Sequence, residues 1–338
     1  MATSGEIDLL AVGETMVVVA PTTPAPLSTA ATYVLRSGGA ESNVASHLAR
    51  LGHRTAWFSA VGDDPFGRII VEHLAGIGVD TAHVITVPGA RTGIYFKHVA
   101  DARSRMYYYR TGSAASTLGP WATPKIEAVP ARVIHLTGVT PALSDGCADL
   151  VRELMTTRAR QSLVSFDVNF RPALWPAADA APVLREFASR ADVVFVGLDE
   201  ARDLWGAEEA ADVRRILPGP RTVVVKDAAN GATEFGTTDS GAPDSGAGPS
   251  GAGPSGGGPS GGGPSGAGGT WYEPAPVTVV VEPIGAGDAF AAGWLSGMLR
   301  GFDAPRRLAL GHRVAAQVLG TTEDHVDFPD DLLTGLVP

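Results

Sequence analysis

The chain has 338 residues, 44% hydrophobic and 18% charged. That is enough for one large α/β domain or two ordinary ones with a sizeable core, and it is not the composition of a disordered protein. A formal net charge of −10 argues against nucleic acid as a partner, because backbone binding needs clustered Lys and Arg, so anionic ligands must be held by local groups. No stretch approaches the roughly 18 consecutive apolar residues of a membrane span, and Met1 to Glu14 lacks a signal-peptide pattern. The reading is a cytoplasmic protein with no membrane partner. Its single cysteine, Cys147, cannot form an internal disulfide and reads as a small buried residue.

In chain order, Asp8 to Val12 predicts a strand, broken at Gly13-Glu14 before a second at Met16 to Ala20. Val44 to Leu51 has helical spacing and stops at Gly52; Thr55 to Val61 is a strand, and Phe66 to Ala75 a helix closing at Gly76 and Gly78. Gly93 to Arg110, rich in Tyr, Phe and Val around the polar turn Asp101 to Ser104, predicts a β-hairpin. From Val133 the chain alternates: strands at Val133 to Leu136, Ser162 to Val168 and Val193 to Val196, with helices at Cys147 to Arg158, Ala181 to Arg190 and Glu200 to Leu204. Alternation of this kind predicts a mostly parallel central sheet in a three-layer α/β/α architecture. Further strands are predicted at Val223 to Val225, Thr233 to Phe235, Thr270 to Tyr272 and Val277 to Val281, and a helix from Asp288 to Leu299. Between Gly241 and Gly269 a Gly, Pro, Ser and Ala tract repeats Gly-Pro-Ser with a five-residue period, which excludes collagen. Residues 237–269 are therefore expected to be a disordered surface insertion in a single domain spanning 1–338, one that loop-closure entropy tolerates.

The strongest chemical signal is Glu282-Pro283-Ile284-Gly285-Ala286-Gly287-Asp288-Ala289-Phe290, between an apolar run and a helix. Glycines there let backbone N–H groups approach an anion, and the helix start adds its positive dipole end. Asp288 could equally be a helix cap. No P-loop is present, and Gly285-Ala286-Gly287 lacks the third glycine of a dinucleotide fingerprint. The histidines are scattered, so no protein-bound transition metal is indicated. A second constellation, Ser37-Gly38-Gly39-Ala40-Glu41-Ser42-Asn43-Val44-Ala45, places Asn43 on the first turn of a helix, where its amide can hold a hydroxyl as donor and acceptor. Taken alone it reads as a tight turn and helix start rather than as a binding site.

Together these segments resemble the PfkB, or ribokinase-like, family of carbohydrate kinases. The resemblance runs through Gly38-Gly39-x-x-x-Asn43-x-Ala45 with Leu51-Gly52, Val61-Gly62-x-Asp64-x-x-Gly67, Asp167-x-Asn169 and Gly285-Ala286-Gly287-Asp288, covering nearly the whole chain. It implies that Asp288 accepts the proton of a substrate hydroxyl attacking the γ-phosphate of ATP, and that the Gly285, Ala286 and Gly287 backbone forms the anion hole. It also implies a small β-strand lid, here near residues 14–36 and 92–110, and nucleotide contacts at Asn169, Glu200, Lys226, Gly231, Gly285 and Gly287. Mg²⁺ would be bound mainly through ATP and water, with Glu200 at most in its outer coordination. Departures are Gly197 in place of the usual Asn of Asn-x-x-Glu, Glu282 in place of Asp, and Lys226-Asp227-Ala228 in place of Lys-x-Gly.

Thr92-Gly93-Ile94-Tyr95-Phe96, Tyr107-Tyr108-Tyr109-Arg110 and Asp167-Val168-Asn169-Phe170-Arg171-Pro172 look like 2-keto-3-deoxygluconate kinases within that family. On extended strands Tyr108 and Arg110 share a face, as do Asn169 and Arg171. Two arginines facing one pocket suit a carboxylate; the plain alternative is that Arg110 pairs with a surface acid and the tyrosines pack the lid. The expected substrate-binding set is Gly39, Asn43, Tyr95, Tyr108, Arg110, Arg171 and Asp288. The expected reaction is transfer from ATP to the terminal hydroxyl of a sugar acid. Fructokinase, ribokinase or nucleoside kinase activity, or a noncatalytic sugar sensor, is the alternative. Lid strands with apolar faces predict self-association into a homo-oligomer.

Overall fold

The computed structural model describes residues 6–23, 25–100, 103–157, 162–236, 269–321 and 327–337. The expected insertion at 237–269 lies outside these residues except for Gly269. In chain order the elements are β1 (Ile7–Val12), β2 (Met16–Pro21), β3 (Tyr33–Gly38), α1 (Ala40–Arg50), β4 (Thr55–Phe58), β5 (Ala60–Gly62), α2 (Pro65–Ile77), β6 (Ile85–Val87), β7 (Ile94–Ala100) and β8 (Arg103–Tyr109). Then follow α3 (Thr123–Glu127), β9 (Ala131–Thr137), α4 (Asp145–Thr157), β10 (Leu163–Asp167), α5 (Ala177–Arg190), β11 (Val193–Gly197), α6 (Leu198–Trp205), α7 (Ala210–Ile216), β12 (Thr222–Asp227), β13 (Gly231–Gly236), β14 (Thr270–Pro274), α8 (Ala286–Leu299) and α9 (Ala304–Leu319).

Eight strands form the main sheet in the order β14-β13-β12-β11-β10-β9-β1-β4. It is parallel from β4 to β12, and the β12–β13–β14 meander adds the antiparallel edge. Its parallel strands are apolar on both faces because helices cover both. Leu10, Val12, Ile134, Val194 and Val223 face the layer containing Leu150, Leu184, Phe187 and Val213. Leu9, Ala11, Val133, Phe195 and Val224 face Val44, Leu48, Leu74, Trp294 and Leu308. The three-layer α/β/α architecture follows from that alternation. No helix among the described residues is long and apolar enough to cross a membrane.

A separate four-stranded sheet, β3-β2-β7-β8, carries the segments predicted to flank the site. Its attachment explains the Val61-Gly62-x-Asp64-x-x-Gly67 motif. The Asp64 carboxylate caps α2 by accepting from the Gly67 N–H at 2.8 Å, and it also accepts from the backbone N–H and hydroxyl of Thr92, at 2.9 and 2.8 Å. Thr92 in turn accepts from the Gly62 N–H at 3.0 Å, so one carboxylate joins a helix start to the root of β7.

One predicted strand is absent. Val277 to Val281 has no regular pairing, and Val277, Val279 and Val280 are exposed. The apolar run forms a cavity wall instead, which is why it reads like a strand without behaving as one.

Candidate active site

Two cavities meet at the start of α8. The larger, about 600 Å³, is mainly apolar, with Ala228, Gly231, Val277, Val280 and His312 in its walls and Lys226 and Gly287 at one end. The smaller, about 170 Å³, is lined by Gly39, Asn43, Tyr95, Tyr108, Arg110, Asn169, Arg171 and Asp288, among others. Ala286 and Gly287 border the first and Gly285 and Asp288 the second, so the Gly-Ala-Gly-Asp turn is the partition between them.

The partition is shaped by backbone chemistry. Gly285 caps α8 at φ 83°, in the left-handed region that a residue with a Cβ enters at a cost. Asp288 is therefore three residues inside the helix start and is not the cap, which removes the capping-only reading of its position. Its carboxylate accepts from Asn43 Nδ2 at 2.9 Å and from Asn169 Nδ2 at 3.3 Å. Asn43 is reached because α1 begins against the β1–β2 corner: a Cβ on Gly39 would lie 2.3 Å from the Glu14 carbonyl oxygen, so only glycine fits there.

Asp288 is buried, and that burial pushes its pKa up to about 7; nearby Asp167 adds to the rise, while the Asn43 contact, Arg171 and Lys226 oppose it. A carboxyl held near neutrality can take a proton from an alcohol and release it afterwards. Behind it, Lys226 Nζ lies 2.8 Å from Asp167 Oδ2. Burial pulls the Lys226 pKa down, but the Asp167 and Glu200 charges outweigh it and the net direction is up, so the ammonium stays charged beside the anion-hole glycine.

The expected residues are not all placed as expected. Gly39, Asn43, Tyr95, Tyr108, Arg110, Arg171 and Asp288 converge on the smaller cavity, and Lys226, Gly231 and Gly287 on the larger. Tyr108 lines the smaller cavity with its ring 5.4 Å from that of Tyr95, although it is itself 43% exposed, while Tyr109 on the opposite face is 68% exposed. Asn169, expected on the nucleotide side, instead lines the smaller cavity and holds Asp288. Glu200 borders neither cavity: one oxygen accepts from the Gly197 N–H at 2.9 Å and the other lies 3.7 Å from Arg171 Nη1. With glycine at 197, Glu200 folds back to cap its own helix. Arg110 is ion-paired with Glu14, which also accepts from the Ser113 hydroxyl. The plain alternative gave Arg110 a surface acid; its partner is a carboxylate, but a buried one, and both line the smaller cavity.

Sequence reasoning gave no role to Glu14, Asp167 or Lys97. The available signal was position, since Glu14 follows the C-terminal end of β1 and Asp167 ends β10, where open α/β sheets place their ligands.

Paired cavities on either side of a buried carboxyl, on a three-layer α/β/α frame, define a small-molecule kinase. The chain belongs to the pfkB family of carbohydrate kinases, whose model matches residues 6–245 and 262–330. It is 35% identical over 331 residues to a 2-dehydro-3-deoxygluconokinase of Thermoproteus tenax, covering 96% of this chain and 91% of that one. It is 31% identical over 318 residues to the enzyme of that name from Bacillus subtilis, covering 92% and 89%. Among solved structures, a PfkB protein from Polaromonas sp. JS666 superposes with a TM-score of 0.78 at 31% identity over 94% of this chain and 97% of that one. A sugar kinase from Pyrococcus horikoshii in complex with ATP superposes at 0.74 with 22% identity over 94% and 93%, a likeness of fold.

Proposed function

We propose that the protein transfers the γ-phosphoryl group of ATP to the terminal hydroxyl of a sugar acid, 2-keto-3-deoxygluconate foremost, giving the 6-phosphate. The observation that carries this reading is the buried Asp288 carboxyl, poised near neutrality on the wall shared by the two cavities. The acceptor occupies the smaller cavity, with Tyr95 and Tyr108 against its carbon chain and Arg171 and Arg110 toward its carboxylate. Arg110 is paired with Glu14, whereas Arg171 is half exposed and meets Glu200 only at 3.7 Å, which makes it the freer of the two to hold the acid.

ATP lies in the larger cavity, its base against the apolar wall and its phosphates toward Lys226 and Gly287. As the acceptor oxygen attacks the γ-phosphorus, its proton passes to Asp288 and the bond to the β-phosphate oxygen breaks, releasing ADP. The backbone N–H groups of the Gly285–Gly287 turn and the α8 dipole face the charge on the transferring group.

Among the described residues no three His, Cys, Asp or Glu side chains are grouped to hold a metal ion. Asp167 Oδ1 is buried without a hydrogen-bond partner, which fits a water of hydrated Mg²⁺ carried in on ATP. Asp167 would hold it from the protein side, with Glu200 engaged by Gly197 and Arg171 instead, and when bound it would neutralise phosphate charge. The four-stranded sheet acts as a lid over the acceptor. Exposed Tyr33, Leu35, Tyr107 and Tyr109 on that sheet support self-association through it.

The test is ADP release from MgATP with 2-keto-3-deoxygluconate, fructose, ribose and a nucleoside as acceptors. The sugar acid should have the highest kcat/KM; equal or faster turnover of a neutral acceptor refutes the assignment. Binding without ADP formation from any acceptor would establish a sensor.

A further inference from the structure

Lys97 and Glu282 form a buried ion pair that joins the four-stranded sheet to the phosphoryl-transfer turn. Lys97 Nζ on β7 lies 2.5 Å from Glu282 Oε2, with the two side chains 9% and 7% exposed. Lys97 stands two positions along β7 from Tyr95 and shares its inward face, the face that closes the smaller cavity. Glu282 is three residues ahead of Gly285, and its backbone N–H is tied to the Leu319 carbonyl at the end of α9 at 3.3 Å. Between Glu282 and Gly285, Pro283 borders the larger cavity and Ile284 the smaller.

Two charges taken out of water are tolerated only while they remain together, and removing one strands the other. This pair joins the four-stranded sheet to the segment ahead of α8, so it persists only in the arrangement where that sheet is seated. When that sheet lifts, both groups regain water and the cost of parting them falls.

We propose that Lys97 and Glu282 are positioning residues. Seating the sheet completes the pair, and the completed pair holds the Pro283–Gly287 turn in register with the transferring phosphoryl group. Its consequence is coupling: the anion hole is assembled only when the acceptor is enclosed. Without the pair, enclosing the acceptor would no longer set the turn, so transfer to the sugar would fall. The slow reaction with water, which does not need the seated sheet, would make up a larger share of turnover. Water would then replace the sugar hydroxyl, its oxygen bonding to the γ-phosphorus as the bond to ADP breaks, with inorganic phosphate and a proton as the other products. The coupling of the sheet to the turn stands on the geometry; the reaction it tunes rests on the kinase reading above.

Full-length Lys97→Met, Glu282→Gln, Lys97→Arg and the double variant K97M/E282Q test it. The double variant removes both charges of the pair together, so it is expected to fold even where a single variant, which strands one of them, does not. Hydrogen exchange of β7 and β8 amides is followed without ligand, and ADP release from MgATP with and without saturating 2-keto-3-deoxygluconate. The double variant should exchange those amides about fivefold faster and release about tenfold more of its ADP without acceptor. It should lose no more kcat than whichever single variant folds, because partners in one interaction are not additive, and Lys97→Arg should retain coupling. Exchange and coupling at wild-type values in the double variant, or single losses that multiply in it, would overturn the proposal. If the wild type turns over no sugar acid the functional reading fails, and the exchange comparison still decides the pair.

Discussion

The side-chain amide of Asn43 donates to Asp288 Oδ2 at 2.9 Å across 245 positions of sequence. This contact ties the first turn of α1 to the first turn of α8 and fixes which way the carboxyl faces. It also favours the ionised form, against the burial that favours the neutral one.

A pH dependence follows from that balance. Only the ionised carboxyl can accept the hydroxyl proton, so kcat/KM should fall as pH drops through about 7, approaching tenfold per pH unit below it. Asn43→Ala removes a contact that stabilises the carboxylate, so its acid limb should move to higher pH. A pH–rate profile of both proteins checks the direction; an unmoved limb would mean that the amide does not act on Asp288.

The two arginines should separate in their effects. Arg171 is half exposed and only 3.7 Å from Glu200 at its nearest, so Arg171→Ala should raise the KM for the sugar acid about 10- to 100-fold, from the loss of one charge-assisted bond. The KM for ATP should hardly move. Arg110→Ala additionally strands Glu14, whose side chain is 1% exposed, and should cost about 3 kcal/mol of stability. Steady-state kinetics with thermal melts distinguish the two.

Ala228 carries φ 44°, in the left-handed region where a Cβ is crowded. It stands where the family pattern has glycine, so the sequence departure and the backbone strain coincide. Ala228→Gly should stabilise the protein by about 0.5–1 kcal/mol after allowing for the freer unfolded chain, as read from denaturant midpoints.

Asp288 should also cost stability. Its folded pKa lies above the ordinary value of 3.8, at about 7, so the cost of ionising it is absent below the unfolded value. That cost grows as pH rises and is complete above about 7. Asp288→Asn should therefore melt higher than the wild type at pH 8, with the difference shrinking toward pH 4. A constant difference across that range would contradict the assignment.

Much of this was legible in the sequence because the parallel strands are apolar on both faces: Val133 to Leu136, Ser162 to Val168 and Val193 to Val196 read directly as β9, β10 and β11. Glycine-rich turns marked Gly39 and Gly285 because close backbone approach and positive φ leave a residue signature. Pairings between distant segments leave none. Nothing near Lys97 announces Glu282, and Arg110 gives no sign of Glu14. Asn169 was read toward the nucleotide, yet at φ 40° it turns to Asp288. Val277 to Val281 misled because a cavity wall and a buried strand share one composition.

The most direct test of the account is kcat for 2-keto-3-deoxygluconate and MgATP in Asp288→Asn beside the wild type. The amide keeps the shape and cannot take the proton, so kcat should fall by about 10²- to 10⁴-fold while the KM for ATP stays within a few-fold. Turnover at the wild-type rate would place the proton acceptor elsewhere.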